Sequence, residues 1–227
     1  MSVGKTENEG GPARIRNESR WLPTLVLLVT VFLLGVLPGR VKIIPFWVSC
    51  VAVLAVIVTM SAVALTRGDI HWLRAERGVI MAFAGVYIAN TIAELTDMVG
   101  IVTLHFSAMS SHSLLSSSVA IWVANVLWFS LLFWQVDRGG PYGRACGLRR
   151  RHDWVFPQPP TPEDRPPDWQ PEFLDYLFLA YNTATAFSPT DALPVTRRAK
   201  ALMLVESAIS LLTMVIVVSR AVSALSS

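Results

Sequence analysis

The residues with the most chemistry to offer sit inside apolar stretches. Asn90, Glu94 and Asp97 recur at helical spacing in a run that begins at Gly78, with Thr91 beside them and His105 on nearly the same stripe. Glu206 stands roughly 15 Å into the last apolar run at the helical rise, and Asn90 roughly 18 Å into its own, so the two could meet. Ionisable groups at membrane depth are costly and face a bundle interior or water, which marks an ion or proton path by default. The competing role is a polar clamp between helices, in which one membrane hydrogen bond contributes only about 0.6 kcal/mol. A second cluster, Asn182, Thr183, Thr185, Ser188, Thr190 and Asp191, lies just before the last run. Hydroxyls, amides and a carboxylate at the deep end of a broken helix suit a cation or a small polar solute. The competing role there is a helix that braces the bundle, because irregular backbone at depth is also tolerated when buried in protein.

Other chemistries lack their residues. His71, His105, His112 and His152 show no metal-ligand spacing, and Cys50 and Cys146 belong to no CxxC. No nucleophile elbow, phosphate loop or zinc-protease helix is present, so no catalytic residue, metal or cofactor is expected and an enzyme is the least supported class.

What must position these groups is a set of membrane helices. The chain has 227 residues, 53% hydrophobic and 15% charged, against about 25% charged for a soluble domain. Several apolar runs of ~18 residues or more predict an all-α, polytopic membrane protein, and the absence of alternating apolar strands excludes a barrel. Four spans are expected at 21–38, 45–66, 78–104 and 113–136, the last carrying Asn125 and Gln135. Residues 171–187 are too few and too polar to cross. They break at Ser188-Pro189, because the residue before a proline is pushed out of the α region. A final span follows, with Thr196 placed to cap it. The expected fold is five transmembrane helices plus one re-entrant half-helix. It divides into a disordered tail (1–20), a four-helix region (21–136), a Pro/Arg-rich loop (137–170) and the re-entrant element with the last span (171–227). The loop's composition predicts stiff, extended, solvated chain. Phe173, Leu174, Leu177, Phe178 and Tyr181 form one stripe on the half-helix. Trp21, Trp47 and Trp134 fall at span ends, as in an interfacial belt.

Sidedness comes from the basic residues. Lys5, Arg14, Arg16 and Arg20 lie in the tail, and Arg67, Arg74 and Arg77 in the second link. The 137–170 loop holds Arg138, Arg144, Arg149, Arg150, Arg151 and Arg165, and Arg197, Arg198 and Lys200 precede the last span. With a cytoplasmic N-terminus, sixteen of the nineteen Lys/Arg share one side. That arrangement requires the 171–187 segment to enter from the cytoplasmic face and return to it. The expected location is the cell membrane, N-terminus inside. Arg149-Arg150-Arg151-His152 reads first as a topology determinant, with anionic headgroups as an alternative. The basic residues interrupt spans rather than form one patch, so nucleic acid is not an expected partner.

The stretch Thr185-Ala186-Phe187-Ser188-Pro189-Thr190-Asp191, followed by Pro194 and Thr196, resembles the pore loop of potassium channels, where the pattern is Thr-Thr-Val-Gly-Tyr-Gly-Asp. The helix after it, from Glu206 onward, is similar to the inner helix of that superfamily. The resemblance covers the C-terminal fifty or so residues and implies a cation pore built from several subunits, hence a homo-oligomer. Thr185, Asp191, Pro194 and Thr196 match. Ser188 and Thr190 replace both filter glycines, whose backbone freedom turns the carbonyls toward the ion, so no strong potassium preference is expected. The orientation is also inverted, since a potassium-channel loop enters from outside. As a whole the chain resembles uncharacterised bacterial multi-pass membrane proteins. Two functions follow as expectations. One is a channel-like or transport protein for a cation or proton, with Thr185, Ser188, Thr190, Asp191, Glu206, Asn90, Glu94 and Asp97 along its path. The other is a non-transporting membrane scaffold that binds a partner through the 137–170 loop.

Overall fold

A computed structural model describes residues 19–36, 46–66, 69–104, 111–146, 151–157, 169–185 and 192–225. Within them the chain forms α1 (Trp21–Val36), α2 (Phe46–Leu65), α3 (Ile70–Leu104) and α4 (Ser111–Val136). A 3-10 turn (Asp137–Gly139) leads into α5 (Gly140–Ala145), then come β1 (Trp154–Val155), α6 (Phe173–Thr185), β2 (Leu193–Pro194) and α7 (Arg197–Leu225). Among the described residues three stretches are long and apolar enough to cross a membrane: Ile70–Thr96, Ser116–Ala145 and Arg197–Ser219. Trp21–Thr30 and Val53–Leu65 are shorter apolar helices.

The axis of the bundle is α4. It is apolar nearly all round, and a helix of that kind is stable only when covered on every side. Ile121, Ala124, Phe129, Leu131, Phe133 and Trp134 are all buried, and α1, α3, α6 and α7 pack around them. α2 closes the outside against α1 and α3. The outer helices turn aliphatic side chains outward: Leu204 of α7 is 71% exposed, and Leu211, Val215, Leu54 and Val58 are also exposed. Apolar surface on this scale suits a hydrocarbon solvent rather than water.

Four expectations differ from the structure in instructive ways. The basic link before the third span is not a link, because its residues from Ile70 on are the first turns of α3. Asp69 makes this possible as N-cap, its carboxylate accepting the His71 N–H at 2.8 Å and its carbonyl the Leu73 N–H at 3.0 Å. On α6 the covered face is Phe173, Tyr176, Leu179, Ala180, Thr183 and Ala184, whereas Leu174, Phe178 and Tyr181 of the expected stripe point outward. The face that packs on α4 and α7 mixes the large Phe173, Tyr176 and Leu179 with the small Ala180, Thr183 and Ala184.

The loop after α4 is also more than extended, solvated chain. Asp137, Asp153 and Trp154 are fully buried, and α5 folds back along the start of α3. The reversal needs glycine at 140, where φ is +72° and a Cβ would lie 2.6 Å from the Gln135 carbonyl oxygen. Trp134, expected in an interfacial belt, is buried instead, edge-on to Phe173 with 5.8 Å between ring centroids. Thr196 does cap α7 as expected, its hydroxyl accepting the Ala199 N–H at 3.3 Å.

Candidate functional site

Two groups of buried polar side chains stand at different levels of the bundle. The first is at the end where α4 stops and α7 begins, here called the basic end. Asp153 accepts hydrogen bonds from the Arg138 N–H (3.1 Å), the Thr196 hydroxyl (2.7 Å) and Arg198 Nε (2.6 Å), and pairs with Arg198 Nη2 as well. Its own N–H donates to Asp137 Oδ1 at 2.8 Å, and the Tyr176 hydroxyl donates to Asp137 Oδ2 at 2.7 Å. Arg198 Nη2 also reaches the Val136 carbonyl at 3.3 Å, and Arg144 Nη1 reaches those of Trp134 and Asp137 at 3.1 and 2.9 Å. One carboxylate thus ties the turn after α4, the 151–157 segment and the start of α7 into a single knot, with α6 joined through Tyr176. Arg138 holds a left-handed φ of +53°, a strained conformation for a residue with a side chain, which this network enforces. Burial alone would push the Asp153 carboxyl up. The hydrogen bonds from Arg198 and Thr196, the Arg198 charge and the Arg138 N–H outweigh it and hold the group below the ordinary carboxylate value.

The second group lies inside the bundle. Glu206 of α7 is 0% exposed, and neither of its carboxyl oxygens has a hydrogen-bond partner among the described residues. Asn125 of α4 is beside it, donating Nδ2 to Ser210 Oγ at 2.9 Å and to the Glu206 backbone carbonyl at 3.4 Å, with its own Oδ1 unpartnered among the described residues. Ser207 Oγ donates to the Thr183 carbonyl of α6 at 3.4 Å. On α3, Asn90 Nδ2 donates to Glu94 Oε1 at 2.8 Å while Asn90 Oδ1 has no partner, and Glu94 and Thr91 are buried. The buried indole N–H groups of Trp122 and Trp128 also lack acceptors among the described residues. Unmatched donors and acceptors therefore come from both α3 and α4, with Glu206 from α7. Such groups are rare in folded interiors, and each calls for a reason such as a functional role or a bound solute.

Depth follows from the register that the basic end fixes. Gln135 of α4 donates to Glu76 of α3 at 3.3 Å, and Arg198 of α7 to Val136 of α4, so the three helices share a reference level. Counting inward at the helical rise puts Glu206 about 12 Å, Asn125 about 15 Å, Asn90 about 21 Å and Glu94 about 27 Å from that level. The near-equal depths of Asn90 and Glu206 counted from the sequence took Gly78 as the start of the span; α3 begins at Ile70, and the Gln135–Glu76 bond now sets its register. No hydrogen bond joins Glu206 to Asn90: neither Glu206 oxygen is engaged by a described residue, and Asn90 turns to Glu94 on its own helix. The interhelix clamp between α4 and α7 is Asn125 with Ser210.

Thr185 ends α6 and returns its hydroxyl to the Tyr181 and Asn182 carbonyls at 2.9 and 3.3 Å. Ser188, Thr190 and Asp191 lie outside the described residues, as does the side chain of Asp97 on α3. The sequence pointed to Glu206, Asn90 and Glu94. It left Asn125 as one polar residue in a span, and it missed Asp137 and Asp153. An acid placed directly at the end of an apolar helix before Arg-Gly-Gly was the available signal for Asp137. No family model, curated protein or solved structure matches the chain.

Proposed function

We propose that this chain is an integral membrane protein of five spanning helices and one re-entrant half-helix, α6, that moves protons through its polar interior. Glu206 is the group that takes and releases the proton. The observation that carries this reading is a fully buried carboxyl on an apolar helix with neither oxygen engaged by any described residue. A carboxyl kept at such cost in a membrane helix ordinarily serves transport. Asn125 and Ser210, joined to each other, and Asn90 and Glu94, joined on α3, follow at increasing depth to about 27 Å from the basic end, close to the thickness of the hydrocarbon core. In this reading the protein sits in the cell membrane with its N-terminus and basic end in the cytoplasm, where the Lys/Arg bias puts them. A small cation is the second candidate cargo, favoured by the hydroxyl-rich end of α6.

The test is flux from liposomes loaded with a pH-sensitive dye, under an imposed gradient. Wild-type protein acidifies or alkalises the lumen, and Glu206→Gln, which keeps size and hydrogen bonding, inserts normally but abolishes the change. Protein that passes neither protons nor small cations removes the transport reading. The membrane scaffold that binds through its 137–170 loop would then take its place.

A further inference from the structure

Between the basic end and Glu206 the bundle is filled by aromatic side chains, one of which does not belong to the bundle helices. Trp154 is carried by β1, two residues of strand paired antiparallel with β2, Trp154 opposite Pro194 and Val155 opposite Leu193. This is a slight attachment for a residue that is 0% exposed. The indole lies 4.9 Å from the Phe133 ring, between centroids, and donates Nε1 to Met203 Sδ at 3.3 Å. Met203 is three residues before Glu206, one helical turn nearer the basic end on the same face. Phe133 in turn meets Phe129, which lies between it and Asn125 along α4. Trp154 therefore fills the space just outside the Glu206 level, and it gets there from a connecting segment.

What holds the segment is the residue before it. Asp153 makes the bonds to Arg198, Thr196 and the Arg138 N–H, and its carbonyl accepts the Val195 N–H at 2.9 Å. A short strand pair has little stability of its own, so the seating of the indole depends on this ion pair and on the ring's burial. We propose that Trp154 is a removable plug that closes the basic end of the Glu206 path, with the Asp153–Arg198 pair as its latch. The proposal rests on the reading of Glu206 as a path residue and adds how access to it is controlled. Opening needs only the 151–157 segment to leave its seat, while α4 and α7 stay packed.

The experiment uses the full chain in nanodiscs, with Cys50→Ser and Cys146→Ser to clear the background and Glu206→Cys as the reporter. A charged, membrane-impermeant methanethiosulfonate is added, and the labelling rate is read by mass spectrometry. With Trp154 present labelling is slow. Trp154→Ala speeds it by at least roughly ten-fold, Trp154→Phe leaves it within about two-fold, and Asp153→Asn gives an intermediate rate, as expected for a shifted open–closed equilibrium. A reporter at Thr59→Cys, buried away from the plug, stays slow throughout. Equal rates with and without Trp154, or an equal rise at Thr59→Cys, overturn the plug. Should Trp154→Ala fail to fold, Asp153→Asn decides alone, and a rate equal to the parent's sinks the proposal. Flux is measured separately on the chain with Glu206 intact: faster labelling of the reporter while that chain carries no flux keeps the plug and removes the transport reading, and flux with unchanged labelling does the reverse.

Discussion

Asp153 and Glu206 are both wholly buried acids, one held from the 151–157 segment against the start of α7 and the other carried within α7 itself, and their surroundings are opposite. Each oxygen of Asp153 is engaged, by a guanidinium, a hydroxyl and a backbone N–H. Neither oxygen of Glu206 is engaged by any described residue. Burial costs a carboxylate heavily unless it is paired, and only the first of these two recovers that cost through structure. The difference separates a fastening from a site. Asp153 has no capacity left for a substrate, whereas Glu206 has all of it. Its neighbour Asn125 likewise keeps one acceptor free.

The largest effect should come from breaking the fastening. Arg198→Leu leaves Asp153 buried with only neutral donors. Removing one partner of a buried pair costs ~3–5 kcal/mol, and the lower end is expected here because Arg198 is 35% exposed. Unfolding titrations in mixed micelles would show the loss, and Asp153→Leu with Arg198→Leu should recover part of it. The pair also has an acid limit. Because the native carboxyl lies below its ordinary value of 3.8, its contribution is full above that value and fades as pH falls through the native one. The gap between wild type and Arg198→Leu should therefore narrow below pH 3.8. A gap that stays constant in acid would mean that Arg198 acts by packing alone.

A smaller effect is expected at the seam between the two regions. Asn125→Ala removes the α4–α7 bond to Ser210, and membrane hydrogen bonds of this kind average about 0.6 kcal/mol with a maximum near 1.7. A double-mutant cycle with Ser210→Ala should return a coupling of that size. A coupling as large as the Arg198 effect would show that the interior is fastened too, and the contrast with Asp153 would weaken.

Much of this was legible in the sequence because membrane helices are written in long apolar runs. The helices α1, α2, α4 and α7 follow from the apolar runs, the Thr196 cap from its place before the last of them, and Glu206 stands out as an acid among Leu, Val and Ser. What sequence alone misplaced depended on contacts distant in the chain. The turns at Ile70–Arg77 read as a link because of their charges, yet Arg20, Gln135 and Gly139 meet Glu76 and Arg77 across sixty or so residues. Asp153 and Trp154 sit in a Pro- and Arg-rich stretch whose composition predicts solvated chain, and only the partners from α4 and α7 draw them inside. The covered face of α6 was hidden for the same reason. Hydrophobicity favours Leu174 and Phe178 as much as Phe173 and Leu179, and partners distant in the chain, Trp134 for Phe173 and Asp137 for Tyr176, choose the covered face.

The smallest change in stability is expected where the effect on function should be greatest. Glu206→Leu replaces a buried polar group by an apolar one of similar size. Removing a group that makes no hydrogen bond forfeits none, so the variant should be as stable as wild type within about 0.5 kcal/mol, or more stable. Glu206→Gln should behave alike, apart from any bond its new amide gives to Asn125 Oδ1, which has no partner among the described residues. Both should stop proton flux. Measured together in the same micelles and liposomes, the two readouts are decisive in combination. Loss of flux without loss of stability is the signature of a group kept for transport. A drop of more than ~1 kcal/mol in Glu206→Leu would instead mean that the carboxyl finds partners in the membrane and holds helices together. In that event Glu206 and Asp153 would be two fastenings of one kind, and Glu94, the buried acid deepest along the path among the described residues, would be the next variant to test.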